Sequence, residues 1–330
     1  MAEPAALLRH THWRLFKDKA ARYGVGIGGV GVIIAIALIF FYLLYVVIPL
    51  FASAEMDHVA SYPTPGTGNT LHLSVEEQAE IGARVTDAGQ VVFFDTHSGA
   101  VNKSVDLGVP EGARVTSLAA ADPASRVLAL GLSNGQVLAF RLDYKVTYPD
   151  NQRLITPQVS RPLGADPIVL SEQGRPLKTL AIQTGEDEAT VAGLTADDQV
   201  ILAHLAKQQS FLTGETTIEQ ETTTLKSGLG HADYLVISKP QRELYLANRN
   251  GDLSFYDISS KMSPTLRQHL RVVSEGQRLS SLELLAGGTS LLAGTSKGRI
   301  SQWFPVRGED NTYTLEEARS FPDQHAPITG

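Results

Sequence analysis

The groups from which this chain could build a reactive site are nine histidines, 35 carboxylates and 28 Lys+Arg, with no cysteine among its 330 residues. The missing cysteines exclude a disulfide framework, a thiolate nucleophile and Cys-ligated zinc. The histidines are scattered, at 10, 12, 58, 72, 97, 204, 231, 269 and 325. His10-x-His12 has a ligand-like spacing, but no carboxylate pair accompanies it, so it reads as part of a flexible basic arm. Gly185-Glu186-Asp187-Glu188 concentrates three negative charges. A calcium loop wants alternating oxygen ligands over about a dozen residues; this run lacks them and reads as a solvated hairpin tip. Asp197-Asp198 likewise falls in a turn. No G-x-S-x-G, G-x-x-x-x-G-K-[ST] or H-E-x-x-H occurs. These residues point to no catalytic, cofactor-binding or metal site, and to a chain that is not an enzyme.

One further motif, Gly24-Val25-Gly26-Ile27-Gly28-Gly29, matches the dinucleotide fingerprint G-x-G-x-x-G. That fingerprint has meaning only between a strand and a helix. Here an apolar run follows instead: residues 24–54 contain no Asp, Glu, Lys, Arg or His. A hydrocarbon core about 30 Å thick needs about 20 apolar helical residues, so this segment is read as a transmembrane helix. Gly24-x-x-x-Gly28 followed by Gly31 then has two readings, a small-residue face for close helix packing or the ordinary abundance of glycine in membrane helices. Tyr42 and Tyr45 suit an interfacial aromatic belt, and Pro49 ends or kinks the helix. Ala52-Ser53-Ala54 has the small-x-small form of a signal-peptidase site, but the apolar run is longer than the usual 7 to 15 residues of a signal; an uncleaved anchor is expected.

The span divides the charge. Residues 1–23 carry Arg9, Arg14, Lys17, Lys19 and Arg22 against Glu3 and Asp18, a net of +3; the chain total is −7, so the remainder is −10. The overall balance argues against a general nucleic-acid binder. The positive-inside bias places the 1–23 arm in the cytoplasm and the chain beyond residue 54 on the opposite side. Residues 55–70, with Pro63-Thr64-Pro65-Gly66, read as a linker leaving the membrane.

From residue 71 to 330 the pattern is short alternating runs separated by tight turns. The clearest unit is Arg126–Leu132, turn Ser133-Asn134-Gly135, Gln136–Phe140. Others run Glu243–Ala247, turn Asn250-Gly251, Asp252–Asp257, and Ser290–Gly294, turn Ser296-Lys297-Gly298, Arg299–Trp303. Weaker copies surround Gly89 and Asp198. The turn markers Gly89, Gly135, Asp198, Gly251 and Gly298 are 46, 63, 53 and 47 residues apart. An all-strand repeat near 45 to 50 residues is the mark of a β-propeller blade; the interval of 63 is expected to hold an insertion at Tyr148–Pro176. Inner strands are expected at Val115–Ala119, Leu177–Ile182, Tyr234–Ile237 and Leu279–Leu284. The count is five blades and the start of a sixth, because Gln324-His325-Ala326 resembles the opening Gly230-His231-Ala232. The propeller is therefore expected to be incomplete.

The fourth unit resembles a degenerate WD40 repeat, with Gly230-His231 at the GH position and Tyr256-Asp257 at the WD position. The resemblance implies a structural hydrogen-bonding role for His231. With Trp13-Arg-Leu-Phe-Lys-Asp-Lys19, a glycine-led span ending Leu43-Leu-Tyr-Val-Val-Ile-Pro-Leu50, and a WD40-like propeller, the whole layout is similar to the N-terminal part of a bacterial PstC-like phosphate ABC-transporter permease. That resemblance implies an inner-membrane location, a periplasmic propeller for docking or regulation, and contact with membrane lipid. Its implied partners are a second permease subunit, a cytoplasmic ATPase and a periplasmic phosphate-binding protein. The alternative is a single-span anchored propeller that acts as an envelope scaffold or assembly factor.

Overall fold

The computed structural model of the protein describes residues 4–51, 57–209, 216–309 and 312–329. Two compact units emerge, Met1–Val59 and Ala60–Gly330. The first is one helix, α1 (Pro4–Val47), followed by a 3-10 turn at Ile48–Phe51. The expected arm at 1–23 is thus not a loose tail: from Pro4 onward it is continuous with the apolar helix, and Pro4 opens that helix without costing a hydrogen bond. Pro49 disfavours helical geometry in the residue before it, and α1 gives way there as expected. Trp13–Phe51 is long and apolar enough to cross a membrane. The Ala52-Ser53-Ala54 motif lies outside the described residues.

The second unit is an open β-propeller of five four-stranded antiparallel meanders. The first sheet contains β1 (Thr70–Val75), β2 (Ile81–Thr86), β3 (Gln90–Asp95) and β4 (Val101–Asp106). The second has β5 (Val115–Ala120), β6 (Val127–Leu132), β7 (Gln136–Thr147) and β8 (Leu154–Ser160), with a short β9 (Ile168–Val169) paired to β7. The third has β10 (Leu177–Thr184), β11 (Glu188–Thr195), β12 (Gln199–Gln209) and β13 (Thr216–Lys226). The fourth has β14 (Tyr234–Ile237), β15 (Glu243–Ala247), β16 (Asp252–Asp257) and β17 (Thr265–Arg271). The fifth has β18 (Leu279–Leu284), β19 (Leu291–Thr295), β20 (Ile300–Arg307) and β21 (Tyr313–Ser320). The expected inner strands are β5, β10, β14 and β18. The expected insertion at Tyr148–Pro176 is partly something else, since β8 is simply the outer strand of its sheet.

Side-chain alternation explains how the sheets stack. In β6 the residues Leu128, Leu130 and Leu132 face the first sheet, while Val127 and Ala129 face the third. Both faces are buried, so this strand reads as a nearly unbroken apolar run. The same division recurs in β15, where Leu244 and Leu246 face the third sheet and Tyr245 and Ala247 the fifth. Four inter-sheet cores form among the described residues, joining the five sheets in sequence. None of these cores joins the fifth sheet to the first, so the stack is an open arc.

The turn markers have a second task that accounts for their regularity. The carbonyl of each one accepts a backbone N–H from the segment that carries the chain onward. Leu107 donates to Gly89 at 2.9 Å, Ser171 to Gly135 at 3.0 Å, Ser227 to Asp198 at 3.4 Å, Val272 to Gly251 at 2.8 Å and Gln324 to Gly298 at 2.9 Å. The crossing backbone comes so near that a Cβ at Gly251 would stand 2.1 Å from Val273 Cγ2. Its φ of +87° independently demands glycine.

The expected linker at 55–70 is also corrected beyond residue 60. Its later part is strapped across the outer face of the first sheet by Arg84, which is buried and has no carboxylate partner among the described residues. The guanidinium donates to Thr70 Oγ1 at 2.7 Å, to the Pro65 carbonyl at 2.8 Å, to Thr67 at 3.2 Å and to the Gly68 carbonyl. Tyr62 meets Phe94 edge-on and donates its hydroxyl to the Thr96 carbonyl at 3.0 Å. A Pro/Gly-rich strand of chain can lie flat here because its exposed carbonyls find one multivalent donor.

Candidate functional site

Antiparallel pairing puts His72 opposite Val85 and Ser74 opposite Ala83, which turns both polar side chains toward the second sheet. Leu73 and Val75 consequently point outward and are exposed. This inverts the usual arrangement of an inner strand. The inner strands β10, β14 and β18 pack in succession, and β10 packs on β5, whereas β1 makes no comparable contact with β5. The first joint is therefore open at its inner edge, leaving a cleft of about 540 Å³. That volume lies in the range of small-ligand sites.

The cleft is walled mainly by apolar residues, including Ala121, Val127, Leu128, Leu142 and Ile155, with Glu76, Glu77, Gln78 and Arg126 among its polar lining. The Ser74 hydroxyl is buried without a hydrogen-bond partner among the described residues. Burial lowers the His72 pKa, favouring the neutral ring. Burial raises the Tyr144 phenol to about 12, with Glu76 adding to the shift and Arg126 opposing it. Glu76 is committed to its turn, accepting from the Gln78 N–H at 2.6 Å and the Glu80 N–H at 2.8 Å. Ser74 has no base attached to it, so the arrangement lacks an activated nucleophile. It offers a mainly apolar slot with neutral groups from His72, Ser74 and Tyr144 and charged ones from Glu76, Glu77 and Arg126, suited to holding a side chain or a small amphipathic group.

A second recess, about 430 Å³, lies where the third, fourth and fifth sheets meet. His231, Asp233, Arg249 and Arg278 line it. Lys178 reaches across from β10, with Nζ 2.9 Å from His231 Nε2 and 3.0 Å from the Ala232 carbonyl. Asp233 accepts the Arg249 N–H at 3.0 Å and stands 3.4 Å from His231 and 3.7 Å from Lys178. His231 was expected to serve its own blade. Its ring is 65% exposed, lies beside Asp233 of its own blade and also contacts the neighbouring blade's lysine.

Gly24, Gly28 and Gly31 lie on α1 at i, i+4 and i+7 spacing, and a Cβ at any of them would meet nothing within 4 Å in this chain. Gly185–Glu188 is a hairpin tip, closed by the Gly185 N–H on the Glu188 carbonyl at 2.7 Å. Asp197 and Asp198 form the β11–β12 turn, where Asp197 pairs with Arg175 and Asp198 accepts the Ala232 N–H at 3.1 Å. His10 and His12 fall within α1. No group of three or more His, Asp or Glu that could hold a metal occurs among the described residues. Neither recess was anticipated. The first was signalled only by the polar positions of Thr70-Leu-His-Leu-Ser-Val75, which occupy the side that the β2 pattern marks as core.

No family model and no curated protein matches the chain. Among solved structures it is similar to the β-propeller domain of Myceliophteria thermophila Cps50 (Swd1), at 16% identity, TM-score 0.48, covering 79% of this chain and 74% of that one. The propeller assignment stands on the five sheets themselves. The expected kinship with a PstC-like phosphate permease is overturned, because no family model matches the chain. The reason is physical: a basic segment, an apolar helix and a propeller are what any tethered propeller needs. Residues 13–57 therefore specify a helix long and apolar enough to cross a membrane, and not a family.

Proposed function

We propose that this protein is a membrane-anchored β-propeller that acts as an interaction scaffold, with α1 as the anchor and the blades as the binding surface. The observation that carries this reading is the open first joint, an apolar cleft with no activated nucleophile, on a rigid stack of sheets. The charge asymmetry of +3 before the span and −10 after it supports a cytoplasmic N-terminus with the propeller across the membrane, as in a cell-envelope scaffold or assembly factor. Gly24, Gly28 and Gly31 offer a small-residue face for another membrane helix.

The test uses the full chain in its own membrane, with a photo-crosslinking amino acid placed at Val146 on the cleft rim. A scaffold gives a few discrete adducts with other proteins. Uniform background from this site and from Phe304 on the fifth sheet sinks the reading. Replacing Gly24, Gly28 and Gly31 together by leucine separates tethering from helix packing: a pure tether keeps its adducts, whereas a packing helix loses those that depend on a membrane partner.

A further inference from the structure

The recess at the junction of the third, fourth and fifth sheets carries an excess of positive charge in a domain that is otherwise strongly acidic. Three permanent cations meet there, Lys178, Arg249 and Arg278, around a single carboxylate, Asp233. The carboxylate side chain is only 15% exposed and faces inward, where it holds the Arg249 backbone N–H, His231 and Lys178. Lys178 is itself spent on His231 and the Ala232 carbonyl. The other nearby acids are engaged too: Asp252 accepts from the Asn248 amide at 3.0 Å, and Asp198 from the Ala232 N–H.

That leaves two guanidinium groups free to act outward. Arg249 is 72% exposed and touches Asp233 only at 3.8 Å. Arg278 is exposed, and its guanidinium has no hydrogen bond or ion pair among the described residues. The two are set side by side by the backbone, since the Leu279 N–H donates to the Arg249 carbonyl at 2.9 Å. Each presents a planar fork that matches a carboxylate bidentately. Because they come from different blades, they suit a ligand with successive carboxylates better than a single small anion. The −10 of the surrounding chain disfavours a polyanion as large as a nucleic acid, whose charges would extend over that surface.

We infer that this recess binds an acidic peptide segment, with Arg249 and Arg278 taking two of its carboxylates and Lys178, His231 and Asp233 holding the recess in shape. The inference deepens the scaffold reading, on which it rests, by giving that scaffold a class of partner.

The experiment is fluorescence anisotropy on the full chain in detergent micelles, with a labelled peptide of seven glutamates as probe. Saturable binding is expected, weakened at least 10-fold by Arg278→Glu or Arg249→Glu, with thermal unfolding unchanged. Arg278→Lys, which keeps the charge but loses the fork, is expected to fall between. Lys145→Glu, an equal charge change on the second sheet, is expected to leave binding as it is. An equal loss with Lys145→Glu, no binding of the probe, or displacement of the probe by equimolar inorganic phosphate, a single-stranded oligonucleotide or anionic vesicles overturns the site. If the probe fails to bind while the Val146 adducts persist, the acidic-peptide site is wrong and the scaffold stands. If both fail, the scaffold reading goes with it.

Discussion

The two end sheets of the arc have outer faces that no neighbouring sheet covers, and they are finished in different ways. On the first sheet, Val92 and Phe94 are buried beneath the strap that Arg84 holds, while Leu73 and Val75 on the inner strand stay exposed. On the fifth sheet the cover lies over the inner region instead. A Cβ at Gly294 would meet Ile328, just as one at Gly131 would meet Leu177 from the next sheet. Further out, Phe304 and Val306 remain exposed at 42% and 39%. The first end is thus closed by a polar anchor that gathers backbone carbonyls. The fifth is covered by the same kind of crossing segment that elsewhere links one sheet to the next. A sheet face can be shielded by either device, but the arginine concentrates the shielding in one residue.

That contrast makes the first end the more fragile to a single substitution. Arg84→Met, which keeps the apolar stem and removes every donor, should destabilise the propeller by about 3 kcal/mol, because it removes four hydrogen bonds from a charged donor and strands the buried Pro65 carbonyl. Urea unfolding of the full chain in detergent measures it, and a loss below about 1 kcal/mol would show that the strap does not close this face. Next comes Tyr62→Ala, expected to cost about 2 kcal/mol through the lost ring contact with Phe94 and the hydrogen bond to Thr96. Ile328→Ala should cost less, about 1 kcal/mol, since that side chain is only half-buried. Hydrogen exchange should then quicken around Thr295 and Gly298 and nowhere in the first sheet; faster exchange in both would mean that the two ends are not independent.

The smallest effect concerns pH. His72 titrates below its ordinary range because burial disfavours the charged ring. The unfolded chain binds its proton more readily, so the folded state's advantage is complete above the ordinary histidine range and is lost as pH falls through it. His72→Phe should flatten the acid side of the stability profile slightly. A steeper acid limb in the variant would refute the assignment.

Much of the fold was legible because its signals are local. Asn134-Gly135 and Asn250-Gly251 announce turns whose second residue must adopt positive φ, and the strands flanking them are short, largely apolar runs. The interval from Gly135 to Asp198 misled only in part, since the long β7–β8 hairpin accounts for much of what resembled an insertion. The candidate sites were scarcely legible. His72 and Ser74 carry no motif, and Lys178, Asp233 and Arg278 are separated by more than 40 residues at each step.

By itself, then, the sequence determined an apolar helix, a train of β-meanders and the glycine turns that punctuate them. Each of those follows from hydrophobic period, φ preference or charge within a short window. Only the tertiary structure decided that β1 would stand off from β5, that residues 60–69 would become a strap, and that arginines from adjacent blades would meet. Those outcomes depend on how closely whole sheets pack, and that distance is set by side chains from both partners at once, which no local window contains.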